Sequence, residues 1–146
     1  MKLKLLLATL VLTTACSGNT ATAGGPDGST DGITIVASVV SHTSAGDSVT
    51  IRISNVGSRT EFFSRCGAEP LVLMQQFVNG VWTGGVQNFM CVAPAAPGPV
   101  RLAPGASLTV SRVLSVAGRY RFITSVGAME DLSDAAQAAS NAFDVQ

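Results

Sequence analysis

Short segments in which apolar and polar residues alternate recur from Gly32 to the end of the chain, divided by turn residues. Val49, Ile51 and Ile53 are the clearest example, because a polar residue stands between each pair. A period of two places such apolar side chains on one face of a β-strand. Asn79–Gly80 lies between two apolar segments and is a strong signal for a two-residue hairpin turn. The pattern predicts strands joined by turns.

About seven or eight such segments, spaced about 8–12 residues apart, indicate an all-β chain that folds as an antiparallel Greek-key β-sandwich. No helical pattern is long enough for a parallel crossover, which argues against an α/β fold. A single helical turn is expected within the loop at residues 133–139.

The segments VTIRISN, NGVW, LAPGASLTV, GRYRF and NAFDV follow one another in an order that resembles the immunoglobulin-like domains of bacterial surface lipoproteins. The resemblance covers residues 32–146 and implies an immunoglobulin-like domain. Both later cysteines lie in the middle of the chain, unlike those of antibody domains, so antigen-receptor analogies do not transfer.

The first fifteen residues have the features of a secretory signal peptide. Lys2 and Lys4 precede a short apolar run at residues 5–12, and a positive region followed by an apolar one is typical of export signals. The run is roughly half of the ~20 residues that a transmembrane helix needs.

Residues 12–16, LTTAC, resemble the bacterial lipobox, in which the cysteine is lipidated and becomes the N-terminus. The family most often has Leu three places before the cysteine, where this chain has Thr13. The resemblance implies lipidation of Cys16, a membrane partner and a place in the cell envelope. If the cell is Gram-negative, the resemblance implies the outer membrane, because Ser17 and not Asp follows the cysteine. An ordinary secretory signal with an incidental cysteine is the alternative. Residues 16–31 are rich in Gly, Ser and Thr, a composition that predicts a flexible tether.

If Cys16 carries lipid, Cys66 and Cys91 remain as a pair. Export to an oxidising compartment predicts a disulfide between them, which would stabilise the fold by about 3 kcal/mol. Metal-binding or nucleophilic thiols are the rival interpretations. They need CxxC spacing or nearby histidines, and the chain has a single histidine, His42.

The charges argue against nucleic-acid binding. Outside the signal peptide, seven arginines and nine acidic residues give a net charge of −2, and the arginines are scattered, whereas phosphate recognition needs clustered positive charge. Glu130, Asp131 and Asp134 could bind calcium, but negative charge at the start of a helical turn is the simpler interpretation. We expect no metal, cofactor or small-molecule substrate.

No catalytic constellation is evident, and we expect no enzymatic activity. His42 is interpreted as a surface turn residue, because the chain lacks the GxSxG nucleophile motif. Trp82 is expected in the core near the disulfide, with an exposed contact residue beside the turn as the alternative. Tyr120 is expected to bond nearby backbone through its hydroxyl, and Arg119 and Arg121 to point into solvent.

The segment at residues 74–90 is the first candidate for a partner surface, and its sequence leaves open whether it is core or exposed. Its candidate contact residues are Phe77, Val78, Trp82, Phe89 and Met90. The leading hypothesis is a membrane-anchored, non-enzymatic cell-envelope module for protein–protein interaction or adhesion, with an unidentified envelope protein as partner. The alternative is a periplasmic inhibitor or accessory subunit that presents a loop to an envelope enzyme or assembly.

Overall fold

The computed structural model describes residues 32–86, 91 and 97–146. Among these residues all regular elements are β-strands that pair antiparallel, which confirms the predicted all-β class. No helix long enough and apolar enough to cross a membrane occurs in the described part of the chain. The strands are β1 (Ile33–Thr43), β2 (Gly46–Asn55), β3 (Glu61–Phe63), β4 (Arg65–Cys66), β5 (Glu69–Pro70), β6 (Leu73–Val78), β7 (Val81–Val86), β8 (Val100–Leu102), β9 (Ser107–Leu114), β10 (Gly118–Gly127), β11 (Ala136–Ala139) and β12 (Phe143–Val145).

The first sheet has three strands in the order β1-β2-β9. β9 pairs with β2 along its whole length, from Ser107 opposite Ser54 to Leu114 opposite Asp47. Alternate residues of these strands turn inward, as expected for a sheet with one buried face. The inward apolar residues are Ile33, Ile35, Ala37, Val49, Ile51, Ile53, Val110 and Leu114.

The second sheet is organised around β10, which pairs with β3, β6, β11 and β12. Tyr120 lies between Gln76 of β6 and Phe143 of β12. Val126 lies in the same way between β3 and β11. β7 and β8 extend this sheet by pairing with β6 and β3. A small two-stranded sheet, β4-β5, stands apart from both.

Buried residues of both large sheets form one hydrophobic cluster between them. Phe63 and Phe122 are its largest fully buried side chains, and each contributes about 1.5–3 kcal/mol by leaving water. Tyr120 belongs to the same cluster, and its hydroxyl donates a hydrogen bond to the carbonyl oxygen of Val116 at 2.9 Å. This confirms the backbone contact predicted for Tyr120. Burial raises the pKa of its phenol.

The strands run between two ends of the molecule, which we call the linker pole and the hairpin pole. β1 begins opposite Asn55 at the linker pole and ends opposite Gly46 at the hairpin pole. The linker pole comprises Gly32 and residues 55–58, 103–106 and 128–135. The hairpin pole comprises the turns at residues 44–45, 79–80 and 115–117 with the strand residues next to them, within residues 42–47, 77–82, 113–121 and 143–146. Gly32, where the predicted tether joins the domain, accepts backbone bonds from Val56 and Gly57 at 2.7 and 3.1 Å.

The prediction of a helical turn at residues 133–139 is wrong. Residues Ala136–Ala139 form β11, which pairs with β10. Alanine and glutamine favour helix locally, but a helix this short gains too few hydrogen bonds to offset the cost of its first turn. Pairing with β10 satisfies the backbone of this segment and buries Ala138 completely.

Candidate functional site

The hairpin of β6 and β7 carries the described part of the candidate partner surface. Asn79 and Gly80 connect its strands, with φ angles of 51° and 85°. Two consecutive residues with positive φ fit a type I′ turn, whose twist matches that of the flanking strands. Val78 and Val81 pair directly on either side of the turn. The predicted Asn79–Gly80 hairpin is therefore confirmed.

The apolar side chains next to this turn are exposed. Phe77 and Val78 are 40% and 39% exposed, and Val81 is 58% exposed. No described side chain of β7 belongs to the core cluster, so this end of the hairpin reaches beyond the core. A group of exposed apolar side chains is more typical of a contact surface than of a spacer domain.

Trp82 lies outside the core, which corrects the expectation that it packs there. It is half-buried on the same face of the hairpin as Phe77, its register partner. The two ring centroids are 5.1 Å apart, and the guanidinium carbon of Arg121 lies 4.5 Å from the Trp82 centroid. Alternation causes this placement, because the neighbouring Gln76 pairs with core-facing Tyr120 and directs Phe77 to the other face.

Arg121 does not extend into solvent as expected, whereas Arg119 is exposed. Its Nε donates a hydrogen bond to Oε1 of Gln75 at 2.7 Å, and its guanidinium covers Trp82. Desolvation lowers the pKa of Arg121, although a guanidinium stays charged at all ordinary pH values. Nη1 and Nη2 have no hydrogen-bond partner among the described residues, and this fork matches the geometry of a carboxylate.

Three residues of the sequence predictions, Cys16, Phe89 and Met90, lie outside the described residues. The predicted disulfide between Cys66 and Cys91 is present, with a Cα–Cα distance of 5.0 Å. The cysteines are 25 residues apart, and the segment between them contains the complete β6–β7 hairpin. The disulfide therefore closes the loop of chain that carries the candidate surface.

His42 of β1 contacts Asp47 of β2 in the first sheet, and Asp47 in turn bonds to the residue that follows β12. The Nδ1 atom of His42 lies 2.7 Å from Oδ1 of Asp47, whose side chain is only 3% exposed. Oδ2 of Asp47 accepts a hydrogen bond from the backbone N–H of Gln146 at 2.9 Å. The Gln146 bond, followed by the hydrogen bond and charge of His42, holds the pKa of Asp47 below 3.8. No serine hydroxyl bonds to His42 in the described part of the chain.

The carboxylates at residues 130–134 lie in a loop rather than at the start of a helix, which corrects the capping interpretation. Asp134 accepts hydrogen bonds from the backbone N–H groups of residues 128–129 at 3.0 and 3.1 Å. Asp131 accepts bonds from the N–H and hydroxyl of Ser133 at 3.0 and 2.7 Å, and these bonds lower its pKa. Across residues 32–86, 91 and 97–146, no three metal-ligating side chains form a candidate metal site.

β9 is an edge strand of the first sheet, and such an edge can pair with a strand of another protein. The side chain of Arg112 lies over it. Nη1 donates to the carbonyl oxygen of Ser111 at 2.7 Å, and both Nη atoms contact Oε2 of Glu69 at 3.2 Å. A charged group in this position opposes strand addition. The β6–β7 surface is therefore the stronger candidate for binding.

Two cavities among the described residues offer little to a small ligand. A cavity beside Ile123 and Thr124 has a volume of about 20 Å³, which is room for about one water molecule. A hollow of about 510 Å³ beside Gly57 and Arg59 is open to solvent. Ligand sites usually enclose most of the ligand surface, so neither resembles one.

No family model matches this chain, and no curated protein matches it. Its function is therefore inferred from its own residues and their geometry.

Proposed function

We propose that this protein is a lipid-anchored, non-enzymatic module of the bacterial cell envelope that binds other proteins through the hairpin pole. The observation that carries the proposal is the exposure of Phe77, Val78 and Val81 on a hairpin that reaches beyond the core. Trp82 lies beside Phe77 and is covered by Arg121. Val78 and Val81 share the opposite face of the hairpin next to its turn. Tryptophan and arginine are among the residues that dominate the binding energy of protein interfaces.

The rigidity of this surface supports a binding role. The two-residue turn restricts the backbone, and the disulfide closes the segment that contains it. Trp82 is held between Phe77 and Arg121. A surface ordered before it binds loses less conformational entropy on association. Binding would then require little rearrangement of this hairpin.

The proposed anchor would leave the hairpin pole accessible. Cys16 and the Gly-, Ser- and Thr-rich residues that follow it lead to Gly32, which lies at the linker pole. The hairpin pole is the opposite end of the strands. A flexible tether attached to one end leaves the other end free to meet a partner in the envelope.

We also propose that the antiparallel sheets form an immunoglobulin-like Greek key. The pairing is nested, because β2 pairs with β9 and β3 pairs with β8. Strands that are distant in sequence and adjacent in a sheet are typical of Greek-key sandwiches. Cross-strand NMR contacts between Ile51 and Val110, and between Glu61 and Leu102, would test the two pairings. Their absence would exclude this topology.

Site-specific photo-crosslinking in the native cell tests the binding surface. A photoreactive residue at Phe77 should yield discrete protein adducts. The same residue at Thr109, which is exposed on the first sheet, is the matched control. The Trp82→Ala variant should reduce the Phe77 adducts. Equal adducts from both positions, or none from Phe77, would contradict the proposal.

The intact mass of the protein extracted from its membrane tests the proposed lipid anchor. A chain of residues 16–146 with acyl groups and two hydrogens fewer would show both the anchor and the disulfide. The Cys16→Ser variant should lose the acyl mass and leave the membrane fraction. If the wild-type chain carries no lipid, the proposed anchor is wrong and the module diffuses freely.

A further inference from the structure

The two poles differ in charge as well as in exposure. Residues 70–129 contain four arginines and no Asp or Glu, and this part of the chain supplies the whole β6–β7 hairpin and all of β10. Asp144 lies opposite Arg119 in the register of β12. Arg121 lies on the same face of β10 as exposed Arg119 and is the cation that contacts Trp82, with its Nη atoms directed beyond its bond to Gln75.

The apolar part of this surface lies next to that cation. Phe77 contacts Trp82, and Arg121 covers the Trp82 ring. Val81 follows the turn on the opposite face of the hairpin, at the margin of this surface. An occupant that matches both features has an apolar side chain directly beside a carboxylate.

The linker pole presents this chemistry. Met129 is 56% exposed and directly precedes exposed Glu130. Glu130 has no hydrogen-bond or ion-pair partner among the described residues. Asp131 and Asp134 hold the surrounding loop through the four hydrogen bonds to residues 128, 129 and 133. The loop is thus ordered around an apolar side chain and a free carboxylate, which reduces the entropy lost on binding.

We propose that the hairpin pole of one copy binds the Met129–Glu130 loop of a second copy, with Glu130 contacting the Nη atoms of Arg121. The two surfaces lie at opposite poles, so the contact is head-to-tail and repeats from copy to copy without closing into a symmetric dimer. This inference depends on the surface named in the proposed function and specifies a second copy of the chain as its occupant.

Photo-crosslinking of the full chain in cells tests this contact. A photoreactive residue at Val81, at the margin of the surface, should yield an adduct of twice the chain mass. Its crosslinked peptide should contain residues 129–131. The same residue at Thr109 is the matched control and should not yield this adduct.

Charge reversal tests the assigned ion pair. Arg121→Glu in the crosslinking copy, or Glu130→Arg in its partner, should each lower the adduct yield about tenfold, because like charges then meet across the contact. Combining the two variants in one cell should restore the yield. Glu130 is exposed on a loop, so Glu130→Arg tests the pairing without disturbing the core. Failure of the combined variants to restore the adduct would overturn the assigned pair.

The outcomes separate this inference from the proposed function. Adducts at Val81 and Phe77 with other proteins alone would overturn self-association and leave a protein-binding surface. Adducts between copies that map away from residues 129–131 would also overturn it. If neither position captures any protein, both proposals are wrong.

Discussion

The two poles of this domain use their side chains in opposite ways. At the linker pole, the amide of Asn55 donates to the carbonyl oxygens of Leu102 and Arg59 at 3.0 and 2.7 Å and accepts from the N–H of Gly57 at 3.0 Å. At the hairpin pole, a two-residue turn leaves Val78 and Val81 exposed. Polar contacts between distant segments stabilise the first pole, whereas the second keeps apolar surface available for binding.

Two charged side chains, Glu61 near the linker pole and Arg121 at the hairpin pole, show the same difference. The side chain of Glu61 is only 4% exposed and accepts a hydrogen bond from Nε of Arg59 at 2.6 Å. Arg121 also places its Nε on a neighbour, Gln75, but extends its Nη atoms beyond the pair. A charge whose partner lies in the same domain contributes to the fold. A charge with free donors can contribute to recognition.

Loss of the disulfide should have the largest effect on stability. The Cys66→Ser, Cys91→Ser double variant should lower the free energy of unfolding by about 3 kcal/mol, because an open loop has more conformations when unfolded. Urea denaturation measures this change, and reduction of the wild-type protein should reproduce it. A loss below about 1 kcal/mol would show that the hairpin segment is restrained by other contacts.

Asn55→Ala should have the next largest effect on stability. We expect it to lower the free energy of unfolding by about 2 kcal/mol, because it leaves the buried Leu102 carbonyl oxygen without its amide donor. Ser58→Ala, at an exposed position of the same loop, is the control and should change little. Denaturant unfolding of both variants gives the comparison. Equal losses would mean that the linker pole does not depend on the Asn55 amide.

The hairpin pole has its own stabilising contact in Asp47, which should appear in the pH dependence of stability. Because folding lowers the pKa of Asp47, its contribution is present above pH 3.8 and is lost as the pH falls through the lower folded-state value. Asp47→Asn should therefore flatten the decline of unfolding free energy below pH 3.8. The pKa of Asp131 is also lowered, so part of the decline should persist. Asp144→Asn is the exposed control, and an equal flattening in that variant would argue against the Asp47 contact.

The smallest effect is expected for the pairing of Trp82 and Arg121. A double-mutant cycle with Trp82→Ala and Arg121→Ala should give a coupling energy of about 0.5–1 kcal/mol, as for partly exposed cation–π pairs. Thermal and urea unfolding of the four proteins measure it. A control cycle that uses Arg119→Ala in place of Arg121→Ala should give no coupling energy with Trp82→Ala. A coupling above about 2 kcal/mol would place Trp82 among the stabilising residues and weaken its role as a contact residue.

Local patterns predicted the strands well where one face is buried. The structure places the Asn79–Gly80 turn where the dipeptide predicts it. β2 buries Val49, Ile51 and Ile53 on one face. In each case, the side chains or the turn residues themselves impose the conformation, so little tertiary information is needed.

The candidate site was predicted less completely. The exposed Phe77 and Val78 belong to the surface expected from the sequence, but their exposure depends on the strand opposite them. Trp82 was expected in the core because large aromatic residues are usually buried. Arg121 was expected in solvent because charged residues are usually exposed. Their contact joins β7 to β10 across β6, and neither residue signals that arrangement locally.

The sequence by itself determined the all-β class and the turn chemistry, because these depend on residue periodicity and backbone preference. It predicted the pairing of Cys66 with Cys91 only together with the expectation that Cys16 carries lipid. Only the tertiary structure decided which residues meet over long separations. Asp47 meets Gln146, 99 residues away, and Ala37 meets Asn141, 104 residues away. Many sheet orders satisfy the same alternation, and the packing of one sheet on the other selects among them.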